Sequence, residues 1–100
     1  MADLSDDWQN PDTAALFEVV LTLETQEEAA AFFRDLCTRR ELNDLSQRWA
    51  VVRLLDQGIP YREIAEQTGA STATVTRINE WLRHGAGGYR MALDRPGSRA

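Results

Sequence analysis

The side chains whose types and spacing could do chemistry are concentrated in ten residues, from Ser71 to Glu80. On a helix, six of these positions share one outer face: Ser71, Thr72, Ala73, Thr76, Arg77 and Glu80. Short residues at a helix N-terminus let the backbone enter a DNA major groove closely, and the free amides there suit a phosphate. The threonine and alanine methyl groups could contact thymine methyls, and Arg77 could pair with a guanine edge or a phosphate. The set favours double-stranded DNA as a partner, although each residue by itself fits a solvated helix surface.

A helix-turn-helix motif would position that face, and five residues fit its requirements. Two helices that cross steeply through a short turn need a small side chain at their closest approach, which Ala65 supplies. Four positions later, Gly69 supplies a residue that tolerates positive φ. Val75 and Ile78, three residues apart, would fix the second helix through its inner face, and Ile64 beside Ala65 would face the core. A plain helical corner without DNA contacts is the alternative interpretation.

Further arginines could contact phosphates around this motif. Arg62 begins the first helix of the motif, where such elements cross the sugar-phosphate backbone. Arg83, His84 and Arg90 come at or after the end of the second helix and are further candidates. The arginines of the preceding helix are expected to be solvated or paired with acids of that helix: Arg39, Arg40, Arg48 and Arg53 with Glu41, Asp44 and Asp56.

Caps and apolar spacing predict an all-α chain. Asn10 before Pro11 indicates a cap with proline at the first helical position, and Thr25 with Glu28 matches a capping box, as does Thr38 with Glu41. An apolar stripe at spacings of three and four marks the third helix: Leu42, Leu45, Trp49, Val52 and Leu55. The predicted helices cover Pro11 to Leu23, Thr25 to Cys37, Thr38 to Asp56, Tyr61 to Gln67 and Ser71 to His84, with a last turn from Tyr89 to Leu93.

The length of 100 residues fits one domain. We expect an acidic N-terminal arm over 1–10, a helical domain over 11–93 and a flexible tail over 94–100. The net charge of −5 is unevenly placed, because residues 1–36 carry nine acids and one arginine, whereas residues 61–100 carry six arginines and four acids. Local field matters more than total charge for docking on phosphates, so the acidic balance permits DNA binding through the C-terminal half.

Catalytic and metal-binding patterns do not appear in the sequence. His84 is the single histidine and Cys37 the single cysteine, and there is no glycine-rich phosphate loop, metal-ligand spacing or nucleophile motif. We therefore expect no enzyme activity, no metal site and no cofactor. No run is apolar enough to cross a membrane, and the acidic start lacks the basic residues of a signal peptide, which predicts a cytoplasmic protein.

The stretch from Leu45 to Leu82, with Gly-Ala-Ser-Thr-Ala-Thr-Val-Thr-Arg at 69–77, resembles the Trp-repressor-related family labelled YerC/YecD. The likeness extends from about Leu36 to Leu93. It implies six helices in an intertwined homodimer whose N-terminal helices wrap around the partner. It also implies a sequence-specific transcriptional regulator, most simply a repressor, located with the bacterial nucleoid. A single copy would cover several apolar side chains poorly, which suits such an interface: Leu16, Phe17, Val20 and Phe33.

The likeness to tryptophan repressors also implies an effector pocket, but its residues differ in this chain. Those repressors hold the indole ring of tryptophan between two arginines; Arg77 matches one, and Gln47 lies at the other, with Arg48 adjacent. Cys37 falls where a threonine would contact the ligand. Trp81 occupies a position that is small or hydroxylated in the repressors, and its ring could plug the cavity or be ordinary core. We therefore expect a vestigial pocket that does not bind tryptophan.

Two other interpretations remain open. The chain could be a helical dimerisation or adaptor module that retains the fold without DNA binding, which its acidic first third favours. Its motif also resembles the helix-turn-helix part of transposases, although the other transposase domains are not in this sequence.

Overall fold

The computed structural model describes residues 8–96, and within that range it contains six α-helices and no strand. The all-α fold expected from the sequence is confirmed. The chain divides into two units, one up to Arg39 and one from Arg40 onward. Among the described residues, no helix combines the length and the apolar character needed to cross a membrane. The helices are α1 (Pro11–Val20), α2 (Gln26–Leu36), α3 (Arg39–Asp56), α4 (Tyr61–Thr68), α5 (Thr72–His84) and α6 (Gly88–Asp94).

Side-chain caps begin both helices of the first unit. The Asn10 side chain accepts the Thr13 N–H, and the Thr13 hydroxyl oxygen accepts the Asn10 N–H, each at 3.0 Å. Thr25 starts α2 by accepting the Glu28 N–H at 3.0 Å. The carboxylate of Glu28 reaches one residue further back than the predicted box, because it accepts the N–H of Glu24 at 2.9 Å. These caps satisfy amides that the first turn of a helix leaves without partners.

The helices of the first unit bury no residue completely. Phe17 is 51% exposed and Leu21 is 85% exposed, although the Trp8 ring packs edge-on against Phe17 at a centroid distance of 6.2 Å. Phe32 and Phe33 make a second edge-on pair at 5.4 Å. Apolar side chains of this unit therefore contact one another without forming a closed core.

The hydrophobic core lies in the second unit, and all four of its helices contribute to it. Val51 and Val52 of α3 and Ile64 of α4 are completely buried. Each such side chain contributes about 1.5–3 kcal/mol by leaving water. The predicted stripe of α3 is buried only toward its C-terminal end, since Leu45 is 44% exposed. The full core comprises Val51, Val52, Leu55, Ile64, Ala70, Val75, Ile78, Leu82 and Leu93.

The last helix, α6, closes this core against α3. Leu93 is completely buried, and the Tyr89 ring lies 6.4 Å from the Trp49 ring. Arg90 donates a hydrogen bond to the Asp56 carboxylate at 3.1 Å. The pair was not predicted: Asp56 was expected to pair within its own helix and Arg90 to contact a phosphate. It forms because α6 folds back beside the end of α3, and a phosphate contact of Arg90 stays a prediction.

The helix ends agree with the predicted ones to within one residue, except at the end of α1. The apolar pattern predicted that this helix continues to Leu23, but it ends at Val20, and the Thr22 hydroxyl donates to the Val19 carbonyl at 2.7 Å in the turn that follows. Gly58 has a φ of +79° just after α3, the left-handed conformation in which a glycine commonly ends a helix. The arm over 1–10 and the tail over 94–100 remain predictions, since residues 1–7 and 97–100 lie outside the described range.

Candidate nucleic-acid interface

Helices α4 and α5 are joined by residues 69–71 and form the predicted motif. Gly69 has a φ of +79°, and its N–H donates to the Ala65 carbonyl at 2.9 Å. This is the left-handed conformation that the sequence analysis required of that position. Ala65 is half-buried. The inner faces of both helices meet in the core through three side chains that are at most 1% exposed: Ile64, Val75 and Ile78.

Thr68 organises the turn between the two helices. Its hydroxyl donates to the Ile64 carbonyl at 2.7 Å and accepts the Ala70 N–H at 3.2 Å. Its own carbonyl accepts a hydrogen bond from Gln47 Nε2 of α3 at 3.1 Å. Gln47 was expected in the effector pocket, and no role was predicted for Thr68. Sequence spacing could not reveal this contact, because the two residues are 21 positions apart.

The outer face of α5 is exposed along its whole predicted length. All six residues proposed for it are exposed to solvent: Ser71, Thr72, Ala73, Thr76, Arg77 and Glu80. Ser71 is the N-cap, and its side chain accepts the Thr74 N–H at 3.1 Å. The amides of the first helical residues have no partner within a helix, and they point along its axis toward any anion at that end. The face is therefore open for a partner to approach.

A short chain of hydrogen bonds connects the cap to the arginine on this face. The Ser71 hydroxyl donates to Thr74 Oγ1 at 3.0 Å, and the Arg77 guanidinium donates to the same oxygen at 3.3 Å. The Thr76 hydroxyl donates to the Thr72 carbonyl at 2.9 Å, within the helix. Thr74 is half-buried, and the sequence analysis did not name it. Its spacing of three from both Ser71 and Arg77 was the available sign of this role.

The remaining candidates for phosphate contacts are compared by their exposure and their side-chain hydrogen bonds. Arg62 at the start of α4 is exposed. Arg83 is exposed and donates to the Asn79 side chain at 3.2 Å, one helical turn earlier. His84 is the last residue of α5 and is also exposed. Arg62 and Arg83 keep the exposure that a phosphate contact requires.

A pocket of about 220 Å³ lies behind this face, between α3 and α5. It brings together Gln47, Arg48 and Trp81, three of the four residues proposed for a vestigial effector site. Cys37 belongs to the first unit, and its place in such a site stays a prediction. The other lining residues are Asp44, Thr74, Arg77 and Ile78.

In the single chain, Trp81 is not buried in the core and does not fill the pocket. The residue is 53% exposed, and it forms a wall of the pocket beside the open space. It also borders an apolar groove of about 400 Å³ that continues toward α6 along Gly85, Gly88 and Tyr89. The expectation that its ring fills the cavity is therefore corrected: the side chain narrows the pocket from one side.

Comparison with known proteins identifies the family to which this helical fold belongs. A model of the family described as Trp repressor protein matches residues 12–96. The chain belongs to the Trp repressor family. The family's fold is that of DNA-binding regulators and is not an enzyme fold, and the described part of this chain carries its helix-turn-helix.

Relatives with this fold come from several bacteria. The uncharacterised protein YerC of Bacillus subtilis is 48% identical over 80 residues, which cover 80% of this chain and 77% of YerC. A crystal structure of a TrpR-like protein from Eubacterium eligens superposes with a TM-score of 0.87 at 40% identity, covering 92% of this chain and 95% of that one. A protein from Staphylococcus aureus, suggested to be a Trp repressor, gives a TM-score of 0.84 at 42% identity and covers 90% of each chain. These matches confirm the resemblance to the YerC-type Trp repressor family and the six-helix fold.

Substitution of Gly69 by alanine tests the turn. A Cβ at this position would lie 3.8 Å from Gln47 Nε2, an ordinary contact, so the cost comes from the left-handed backbone and not from a clash. We expect Gly69→Ala to lower the free energy of unfolding by about 1–2 kcal/mol, measured by urea denaturation. Gly88→Ala is the matched control, since its φ is not positive and its Cβ would meet nothing within 4 Å. Equal stability of the two variants would contradict the turn's dependence on glycine.

Proposed function

We propose that this protein is a sequence-specific DNA-binding transcriptional regulator, acting as a repressor, that reads DNA with the outer face of α5. The observation that carries the proposal is the contrast between the two sides of this helix. Val75 and Ile78 are buried, whereas Thr72, Thr76 and Arg77 opposite them are exposed. A helix fixed through one side presents the other in a defined direction, which base recognition in a major groove requires.

The charge distribution supports contact through the second unit. Residues 61–100 carry six arginines against four acids, and Arg62 and Arg83 lie exposed at the start of α4 and the end of α5. Exposed arginines at both ends of the motif could bind phosphates on either side of the bases that α5 reads. The acidic residues are concentrated in the first 36 positions. We propose that this protein is found with the nucleoid, held there by the second unit.

We propose that the protein acts as an intertwined homodimer. Helices α1 and α2 bury no residue, and Phe17, Leu21 and Leu36 are each at least half exposed. Apolar surface of this kind is costly to leave in water and usually marks an interface. A second copy of the chain is the occupant that the Trp repressor family favours. Two copies related by a two-fold axis would place two reading helices on one operator.

We propose that tryptophan is not the corepressor. Gln47 stands where the resemblance places one of two ligand-holding arginines, and its amide is already bonded to the Thr68 carbonyl. Trp81 adds a bulky wall to the same pocket. The remaining space of about 220 Å³ is lined by Asp44 as well as by Arg48 and Arg77, so its charge is mixed.

Selection of bound fragments from random duplex DNA by the purified protein tests the main proposal. We expect a two-fold symmetric sequence whose half-sites are about 34 Å apart, and binding that weakens with salt by a log–log slope of about 0.9 for each phosphate contacted. Half-site symmetry would also support the dimer. Absence of binding at low salt would overturn the DNA proposal and favour the adaptor module that the acidic first third suggests.

Removal of the Arg77 guanidinium tests the reading face. If Arg77 pairs with a base, Arg77→Ala should weaken binding to the selected duplex by roughly 1–3 kcal/mol while mixed-sequence DNA is affected less. Arg53→Ala is the control, because Arg53 is an exposed arginine of α3 and its loss changes the net charge equally. Equal losses for both variants on both duplexes would show that Arg77 contributes charge alone.

Equilibrium titration with L- and D-tryptophan tests the absence of this corepressor. We expect no saturable heat of binding for either enantiomer, and the same DNA affinity with and without L-tryptophan, because Gln47 stands in place of a ligand-holding arginine and Trp81 narrows the pocket. Saturable binding of the L enantiomer alone would contradict this proposal.

A further inference from the structure

Gln47 joins the core helix α3 to the turn of the reading motif. Its amide nitrogen donates to the Thr68 carbonyl at 3.1 Å, and the side chain is half-buried. The bond ends on the last residue of α4, directly before Gly69. It therefore acts at the point where the chain changes direction between the two helices of the motif.

Besides this bond, local hydrogen bonds and the buried side chain of Ala70 restrain the turn. The Thr68 hydroxyl holds the Ile64 carbonyl and the Ala70 amide, and both of these contacts are local to α4 and the turn. Gly69 lies in a region of φ that glycine enters easily, and glycine also leaves it easily. The bond from Gln47 is directional and comes from a separate, well-packed helix, so it adds to the burial of Ala70 a restraint on how the backbone of the turn is oriented.

Small changes in this turn matter at the DNA face. Arg77 lies five residues after the start of α5, about 7.5 Å along the helix axis. A tilt of about 10° at the turn would displace it by about 1.3 Å, which is enough to break a base hydrogen bond of about 2.9 Å. Phosphate contacts through long, flexible arginines tolerate such a shift better than bidentate base contacts do.

We infer that Gln47 is a positioning residue that holds α5 in its DNA-reading orientation without a bound effector. The inference rests on the proposed function, because it assigns the source of orientation for that same reading face. Gln47 also lines the pocket beside Arg48 and Arg77, so the protein's own side chain spans the distance between pocket and turn. Sequence recognition then depends on this internal hydrogen bond, made on folding, as well as on the buried side chains that anchor α5.

The experiment compares Gln47→Met, which keeps length and removes the donor, with Gln57→Met as the control. Gln57 is an exposed glutamine just beyond α3, so the same substitution there leaves the turn untouched. Two readouts are used: amide hydrogen exchange of Gly69 and Ala70, and affinity for the selected duplex and for a mixed-sequence duplex. Gln47→Glu, whose ionised carboxylate cannot donate, is a second variant should the methionine variant fail to fold.

For Gln47→Met we expect faster exchange at Gly69 and Ala70 and about tenfold weaker binding to the selected duplex, with mixed-sequence binding unchanged. Gln57→Met should match the wild type in all of these. Wild-type exchange rates and wild-type selectivity in both Gln47 variants would overturn the inference, and so would an equal loss on both duplexes. If the wild type selects no DNA, the proposed function fails by itself; unchanged exchange would then also refute the turn contact, and faster exchange would support it.

Discussion

Three buried side chains, Ile64, Val75 and Ile78, anchor α5 in the core, and the exposed face that we propose to read DNA depends on this burial. They occupy the inner faces of two helices that meet through a left-handed glycine. Because a helix has two sides, burying one determines which residues remain on the other. The polar positions from Ser71 to Arg77 are exposed as a consequence of this burial.

The sequence predicted this motif well because its determinants are local. Gly69, Ala65 and the pair Val75 and Ile78 lie within fourteen residues of one another, and helix periodicity relates them directly. The caps at Asn10, Thr25 and Ser71 are local in the same sense, since each bonds an amide three residues later. Helix bounds and the inner and outer faces of α5 could therefore be predicted without coordinates.

The contacts between helices that the sequence did not predict depend on which helices become neighbours. Arg90 pairs with Asp56, 34 residues away, and Gln47 bonds to Thr68 across 21 residues. Periodicity assigns a side chain to a face but does not say which other helix lies opposite. The exposure of Trp81 was missed for the same reason: its size suggested core or plug, whereas the packing of α5 places it at the edge of the core. A resemblance alone supplied the approximate pocket, and the mixed charge contributed by Asp44 emerged only from the structure.

Arg77 belongs both to the exposed face and to the pocket behind it, and this double placement bears on how it could bind a base. A free arginine side chain carries about 2 kcal/mol of rotamer entropy, which a partner must overcome when it fixes the guanidinium. Here the guanidinium is already bonded to Thr74 Oγ1 at 3.3 Å, and Thr74 is held in turn by the Ser71 cap. Since that bond is long and exposed, it restricts the arginine only partly. Part of the loss of rotamer freedom that base binding would require of Arg77 therefore occurs already on folding. The freedom that remains would let the side chain adjust to a base edge.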